Sequence, residues 1–327
     1  SVLMKVVVTG GTGFLGWHLV MRLLRDGHDV TFTGRQLKAS APLGSCFAKV
    51  ILTDKQGLNK VMQAAECVFH SAALSSPWGD KQDFFEANVM GTQYVVDACL
   101  VNNVQRLIHV STPSLYVNGQ DCMMVKEDDP LPKQAINLYA HSKRLAEDII
   151  KRASTKLAVI SIRPRAIFGP GDNAIFPRFI AALQAGRLPI IGSGDNVADL
   201  SYVDNVVDAL LLCAQADSKH LGKVYNISNG EPVRLWDVIG HLARALALPE
   251  PRHKLPYRLV YTLAASLEAT HKLFLPHKEP RLTRYGVTVL GKSMTLDIGA
   301  AQRDLGYEPK VSMEDGLEQV IAAYQQG

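Results

Sequence analysis

The chain has 327 residues and a net charge of +4, with 20% charged and 47% hydrophobic residues. That charge is small and scattered, without a basic stripe or basic–aromatic interleaving, which argues against nucleic acid as a partner. Cys46, Cys67, Cys99, Cys122 and Cys213 are odd in number and include no CxxC pair, so disulfide frameworks and structural zinc are excluded and a reducing, cytoplasmic setting is expected.

Ser1 to Leu3, ahead of Met4, read as a cloning remnant, and no signal peptide is recognisable. Strand-like runs follow at 4–9, 29–33, 48–52, 67–70, 106–110 and 157–162, separated by helical patterns at 14–25, 56–64, 81–102 and 136–153. Such alternation predicts an α/β fold of Rossmann type, a doubly wound parallel sheet with helices on both faces. After Pro164 the pattern loosens at Gly169, Pro170 and Gly171. A helix at 176–185 and a strand at 224–227 come next, then mostly helical sequence broken by prolines. The predicted division is a dinucleotide-binding domain over 1–164, rejoined by 200–228. A smaller, mostly helical substrate lobe comprises 165–199 and 229–327.

The junction "VVVTGGTGFLGWHLV" at 6–20 carries the first chemical signal. Glycine is costly in ordered segments. Gly10, Gly13 and Gly16 between a strand and a helix let backbone approach a phosphate, which the helix N-terminus attracts. A tight turn without ligand is the simpler alternative. The second strand, "HDVTFTGRQ", has Thr33 or Gly34 where an NAD site usually has a carboxylate, and Arg35 follows. A guanidinium can pair with a 2′-phosphate, so NADP is expected, with NAD as the alternative.

Tyr139 and Lys143 are one helical turn apart and share a face. A cation beside a phenol favours its ionised form, as acid–base work at a substrate oxygen requires. YxxxK alone is weak evidence; with a phosphate loop upstream it is strong. Ser111 and Thr112 lie just past a strand end, where ligands of such sheets sit, although hydroxyls there also cap turns. No GxSxG elbow is present, and the ten histidines include no HxxxH or compact carboxylate partner, so a metal site is not expected. His70 and His109, ending apolar strands, read as satisfied core residues.

With "TGGTGFLG" at 9–16, "ANVMGT" at 87–92, Tyr139/Lys143, "RPRAIFGPGDN" at 163–173 and "YVDN" at 202–205, the chain resembles the extended short-chain dehydrogenase/reductases over almost its whole length. The resemblance implies that Tyr139 is the acid–base, that Lys143 holds the nicotinamide ribose and lowers the tyrosine pKa, and that Thr112, with Ser111 beside it, supplies the catalytic hydroxyl. It also implies that Asn88 steadies the site, and that Phe14, Leu15, Ala72, Pro164 and Ile167 join the glycines in lining the cofactor. The family often has an adenine-contacting aspartate near the end of the third strand. Here that loop reads Ile51-Leu-Thr-Asp54, which puts those contacts in doubt.

"HSAALSSPWG", "STPS", "ISNGEP" and "EPRLTR" are further similar to the bacterial 2-alkyl-3-oxoalkanoate reductases of olefin synthesis, relatives of the 3β-hydroxysteroid dehydrogenases. That resemblance implies NADPH-dependent reduction of a β-keto acid. A steroid or sterol dehydrogenase is the alternative; a sugar-nucleotide epimerase or dehydratase and a non-catalytic cofactor-binding regulator are further ones. The expected partner is a small apolar substrate, long-chain acyl or sterol-like. Residues 255–275 are apolar but too polar to span a bilayer. They are expected to wall the substrate pocket, with contact to a membrane or biosynthetic enzyme as an addition and a homodimer as an open alternative.

Overall fold

The computed structural model describes residues 2–37 and 39–327, so Ser1, of the stretch read as a cloning remnant, lies outside the described residues. Seven strands form the central sheet: β1 (Lys5–Thr9), β2 (Asp29–Gly34), β3 (Cys46–Lys49), β4 (Cys67–His70), β5 (Arg106–Val110), β6 (Val159–Pro164) and β7 (Val224–Ile227). Their order is β7-β6-β5-β4-β1-β2-β3, every pair parallel. The winding direction reverses between β1 and β4, and a crevice opens beyond the carboxyl ends of such strands.

Both sheet faces are buried, which explains why the strands read as continuous apolar runs. Val6, Val8, Phe32 and Phe69 pack with Leu15 and Leu19 of the helix Phe14–Arg25 and with Val206 and Leu210 of Val203–Gln215. On the opposite face, Val7, Val68, Leu107 and Val159 meet Val95 of Gly91–Val101 and Ile149 of Leu138–Ala153.

Element boundaries differ from expectation where a specific partner decides them. β3 starts at Cys46 and ends at Lys49 because it pairs with Thr31 to Gly34, so the expected strand at 48–52 shifts toward the N-terminus. Asp54 accepts the Gly57 N–H at 2.9 Å and caps the helix Lys55–Val61. The helix expected from 136 begins at Leu138, after Asn137 accepts the Ala140 N–H at 2.8 Å. The stretch expected as one helix at 81–102 contains a π-helical segment, Phe85–Met90, between Lys81–Phe84 and Gly91–Val101. Wide turns of this kind often mark functional sites.

The lobe is more than helical. It holds a four-stranded sheet of Val233–Arg234, Val197–Ala198, Met294–Leu296 and Cys122–Val125. Residues 122–125, counted by sequence with the first domain, pair with 294–296 of the lobe. The excursion after β5 therefore ties the lobe to the carboxyl edge of the main sheet.

Candidate active site

Three glycines in the first turn have three different reasons to lack a side chain. Gly10 has φ +68°, and a Cβ there would stand 2.6 Å from the Ala72 Cα. At Gly16 a Cβ would meet the Gly10 carbonyl oxygen at 2.1 Å, so this glycine serves close packing of helix on strand. Gly13 is exposed, and a Cβ there would have as its nearest neighbour only the Gly10 oxygen at 3.4 Å. Protein packing does not require a glycine at 13, and its absence of a side chain leaves the backbone there open to approach from the crevice. Gly13 is also the N-cap of Phe14–Arg25 and makes no side-chain cap bond, and the helix's first turn has no acidic residue. Unpaired N–H groups and the positive dipole end thus face the crevice. Phe14 is half-buried edge-on to His18, and Leu15 is buried below.

The end of β2 closes against this turn, with the Gly11 N–H donating to the Thr33 carbonyl at 2.9 Å. A Cβ on Gly34 would strike Thr12. Arg35, the next residue, is exposed. Across the switch point, Thr9 Oγ1 accepts the Ala72 N–H at 3.2 Å and shares a hydrogen bond of 2.8 Å with His70 Nδ1. His70 Nε2 shares a second hydrogen bond, of 3.0 Å, with Thr92 Oγ1. Burial, with the Lys143 charge adding to it, pushes the His70 pKa down to about 3, so this ring is a neutral core residue. His109 is equally buried but only half satisfied: Nδ1 faces Ser161 Oγ at 3.1 Å, while Nε2 has no partner.

Tyr139 lies in the first turn of Leu138–Ala153. Burial raises its phenol above the ordinary value, while the hydroxyls of Thr112 and Ser75, facing it, pull the other way. Thr112 caps the short turn Pro113–Tyr116 by accepting the Ser114 N–H at 3.1 Å, which leaves its O–H to donate. Lys143 is buried, and its Nζ donates to the Val110 carbonyl at 2.8 Å. Desolvation lowers its pKa to about 8, with Glu147 pulling it upward. Tyr139, Thr112 and Lys143 are thus gathered at the carboxyl end of β5, but the expected lowering of the phenol by Lys143 is not seen: burial raises it, and the ammonium is bound to the Val110 carbonyl and is not among the groups acting on it.

Asn88, in the π-helical segment, connects these parts. Its Oδ1 accepts the Leu74 N–H at 2.7 Å, and its Nδ2 donates to the Leu74 carbonyl at 3.0 Å and to Ser142 Oγ at 2.9 Å. Ser142 donates in turn to the Tyr139 carbonyl at 2.8 Å. One amide therefore holds the loop bearing Ser75 against the turn bearing Tyr139.

Ser111 turns elsewhere. Its hydroxyl donates to Glu147, whose carboxylate is held by Arg163 through Nε at 2.8 Å and a second nitrogen at 2.5 Å. Arg163 also donates to the Tyr116 hydroxyl at 2.6 Å, which donates to Asn226 at 2.7 Å. Ser111 thus belongs to a buried network rather than to the face around Tyr139. Pro164 ends β6, and Ile167 opens a two-residue strand paired with Ser201–Tyr202.

Ser75 faces the phenol too, and Tyr285 is near enough to act on it electrostatically, although sequence reasoning assigned neither. Ser75 stands within "HSAALSSPWG", but Tyr285 is far along the chain and had no motif to reveal it. The helix Tyr257–Phe274 also departs from expectation. Val260, Ala264 and Glu268 face inward, whereas Leu259, Leu263, Leu273 and Phe274 are exposed. Those four do not wall an enclosed pocket. Among the described residues no helix is long and apolar enough to cross a membrane.

A dinucleotide-binding sheet with a Tyr–Lys helix at its carboxyl edge defines an NAD(P)-dependent oxidoreductase of the extended short-chain dehydrogenase/reductase class. The chain belongs to the NAD dependent epimerase/dehydratase family, whose model matches residues 6–228. It is 35% identical to a 2-alkyl-3-oxoalkanoate reductase of Shewanella oneidensis, over 97% of this chain and 85% of that protein. It is 30% identical to the mouse (Mus musculus) sterol-4-alpha-carboxylate 3-dehydrogenase, decarboxylating, over 98% of this chain and 91% of that protein. Among solved structures it resembles MoeE5 in complex with UDP-glucose and NAD, with a TM-score of 0.77, 25% identity and coverage of 98% and 99% of the two chains.

Proposed function

We propose that this oxidoreductase interconverts a ketone and a secondary alcohol on an apolar acid, with NADP as redox partner and a 2-alkyl-3-oxoalkanoate as substrate. The observation that carries the reading is the Tyr139 phenol, faced by the hydroxyls of Thr112 and Ser75 beside an open glycine turn. Gly10, Gly13, Phe14, Leu15, Gly16 and Ala72 would hold the dinucleotide's phosphates, Arg35 its adenosine end, and Pro164, Ile167, Tyr139 and Lys143 its nicotinamide end. When bound, the nicotinamide exchanges hydride with the substrate carbon.

The remaining chemistry is the chain's own. Tyr139 delivers its phenolic proton to the ketone oxygen, or takes it back from the alcohol in the reverse direction. A phenol held above its ordinary pKa stays protonated at neutral pH and can act as the acid. Thr112 donates to the same oxygen and fixes its position. Lys143, held by the Val110 carbonyl, would bind the nicotinamide ribose, and Asn88 keeps loop and helix in register.

Arg35 supports NADP by its exposed position at the end of β2, where a carboxylate would serve NAD. The Shewanella relative supports the keto-acid substrate, and the mouse relative supports a second reading, a steroid or sterol dehydrogenase. The exposed Leu255, Leu259, Leu263, Leu273, Phe274 and Leu275 stand among Arg252, Lys254, Arg258, Lys272 and Lys278, a mixture suited to resting on an anionic membrane surface.

The deciding experiment follows NADPH consumption with 2-alkyl-3-oxo acids of increasing chain length, beside a 3-oxosteroid and a nucleotide sugar. We expect kcat/KM to rise with chain length. Flat kinetics, or faster turnover of the nucleotide sugar, rejects the acyl reading; steroid turnover above every acyl substrate establishes the second.

A further inference from the structure

Arg163 and Arg165 leave the carboxyl end of β6 two residues apart and meet opposite surroundings. Arg163 is bound by the Glu147 carboxylate, the Tyr116 hydroxyl and the Glu127 carbonyl. Arg165 is 6% exposed, yet among the described residues its Nε has no partner, and its side-chain bond is a 3.5 Å contact from Nη1 to the Tyr285 hydroxyl. That contact is too long to satisfy a guanidinium. Asp199 senses its charge but makes no ion pair with it among the described residues; one Asp199 oxygen accepts the Leu296 N–H at 2.7 Å, and the Ser228 hydroxyl also acts on the carboxyl.

A buried guanidinium with idle donors is unfavourable unless something else occupies its fork. The neighbourhood indicates what that is. Tyr285 lies 3.2 Å from Ser114 Oγ, two residues beyond Thr112, and close enough to Tyr139 to bear on its phenol. A hollow of about 10 Å³ beside Arg165, room for one water-sized group such as a single carboxylate oxygen, is lined by Gln120, Thr288, Lys292 and Ser293 together with apolar groups. None of its lining residues is a carboxylate, and Lys292 adds a second cation. Ala166, the next residue, holds φ at 45°, a strained conformation for a side chain and one that often accompanies function.

We propose that Arg165 is a specificity residue that anchors a carboxylate carried by the substrate close to its reacting ketone. The planar fork matches a carboxylate with paired hydrogen bonds. Tyr285 then stands between the anchoring site and the acid–base, and Lys292 attracts the anion toward the hollow. This rests on the ketone-reductase reading above and adds the acidic group as the feature that selects the substrate.

The test compares a 2-alkyl-3-oxo acid with its methyl ester in wild-type enzyme, Arg165→Gln and Arg165→Lys. We expect the acid-to-ester ratio of kcat/KM to fall roughly ten- to hundredfold in Arg165→Gln, as for loss of a charge-assisted pair, with partial recovery in Arg165→Lys. Equal losses for both substrates mean a structural residue and overturn the proposal, as does a wild-type enzyme that does not prefer the acid. If the wild type reduces neither, the reductase reading falls; calorimetric binding of the 3-hydroxy acid against its amide then decides the anion site separately. Selective acid binding that disappears in Arg165→Gln upholds the site, and equal binding of acid and amide rejects it. Should Arg165→Gln fail to fold by thermal melting, the acid-against-amide comparison on wild-type protein decides the matter.

Discussion

Beneath Tyr139, on the sheet side, Ser111, Glu147, Arg163, Tyr116 and Asn226 form a continuous chain of hydrogen bonds. Toward the lobe, Arg165 keeps a buried nitrogen without a partner among the described residues, and the helix Tyr257–Phe274 leaves four large apolar side chains in solvent. The chain from Ser111 to Asn226 closes on the protein's own groups, although His109 Nε2 and one Glu127 oxygen beside it have no partner among the described residues. The lobe side is built as though part of its bonding belongs to something that arrives later. A reductase needs both, because the acid–base must be held still while the substrate enters and leaves.

Tyr139→Phe gives the largest expected effect on the sheet side. Loss of the proton donor should lower kcat roughly a hundred- to ten-thousandfold while cofactor affinity, read by fluorescence titration, stays near wild type. Thr112→Val should cost less, because one donor is lost and the acid remains. A Tyr139→Phe enzyme with near-normal rate would remove the acid–base assignment.

Opening the sheet-side network should affect stability rather than specificity. Arg163→Met strands the Glu147 carboxylate, and breaking a buried pair of this kind costs about 3–5 kcal/mol, visible in urea unfolding. A comparable loss in Arg165→Met would erase the distinction between the two arginines, since Arg165 has no such pair to break.

Acid should weaken the same region. The His70 pKa is about 3 in the folded protein against 6.5 ordinarily, and His109 is lowered in the same direction by burial. Below 6.5 the unfolded chain takes up protons that the folded chain refuses, so the contribution to stability falls as pH falls through that window. Between pH 6.5 and about 5 the loss is on the order of 2 kcal/mol per histidine. His70→Gln should flatten the dependence of Tm on pH; an unchanged slope would show that His70 carries none of it.

Arg35→Ala should narrow a preference for NADPH over NADH by about 1–3 kcal/mol, measured as the ratio of the two dissociation constants. Equal affinities in the wild type would defeat the NADP reading at once. Smallest of all, Leu259→Ser with Leu273→Ser should change stability by no more than about 0.5 kcal/mol each, since both side chains are exposed. The pair should nevertheless reduce co-sedimentation with vesicles of anionic phospholipid. Unchanged sedimentation would leave this face without a membrane role.

Much of the fold was legible because its signals are local. The β-branched run before Gly10, the glycine spacing and the YxxxK turn each depend on residues close in sequence, and β1, Phe14–Arg25 and Leu138–Ala153 follow from them. The π-helical segment at Asn88 was not legible, because nothing in "ANVMGT" distinguishes a wide turn from an ordinary one. What places Asn88 is a pair of partners, Leu74 and Ser142, on two other elements.

The same division separates what the sequence by itself determined from what the tertiary structure decided. Periodicity and glycine spacing were enough for a parallel sheet with a phosphate-binding turn, since strand burial and backbone access are properties of short segments. Which hydroxyl faces Tyr139 was beyond them: Ser111 and Thr112 are adjacent and chemically alike, and only the extended chain beyond β5 sends one toward Glu147 and the other toward the phenol. Arg163 and Arg165 divide in the same way. Their difference lies in partners contributed by distant residues: Glu147 and Tyr116 for one, Tyr285 among the described residues for the other. Long-range packing assigns a hydrogen-bond partner, and no pattern within a short window contains it.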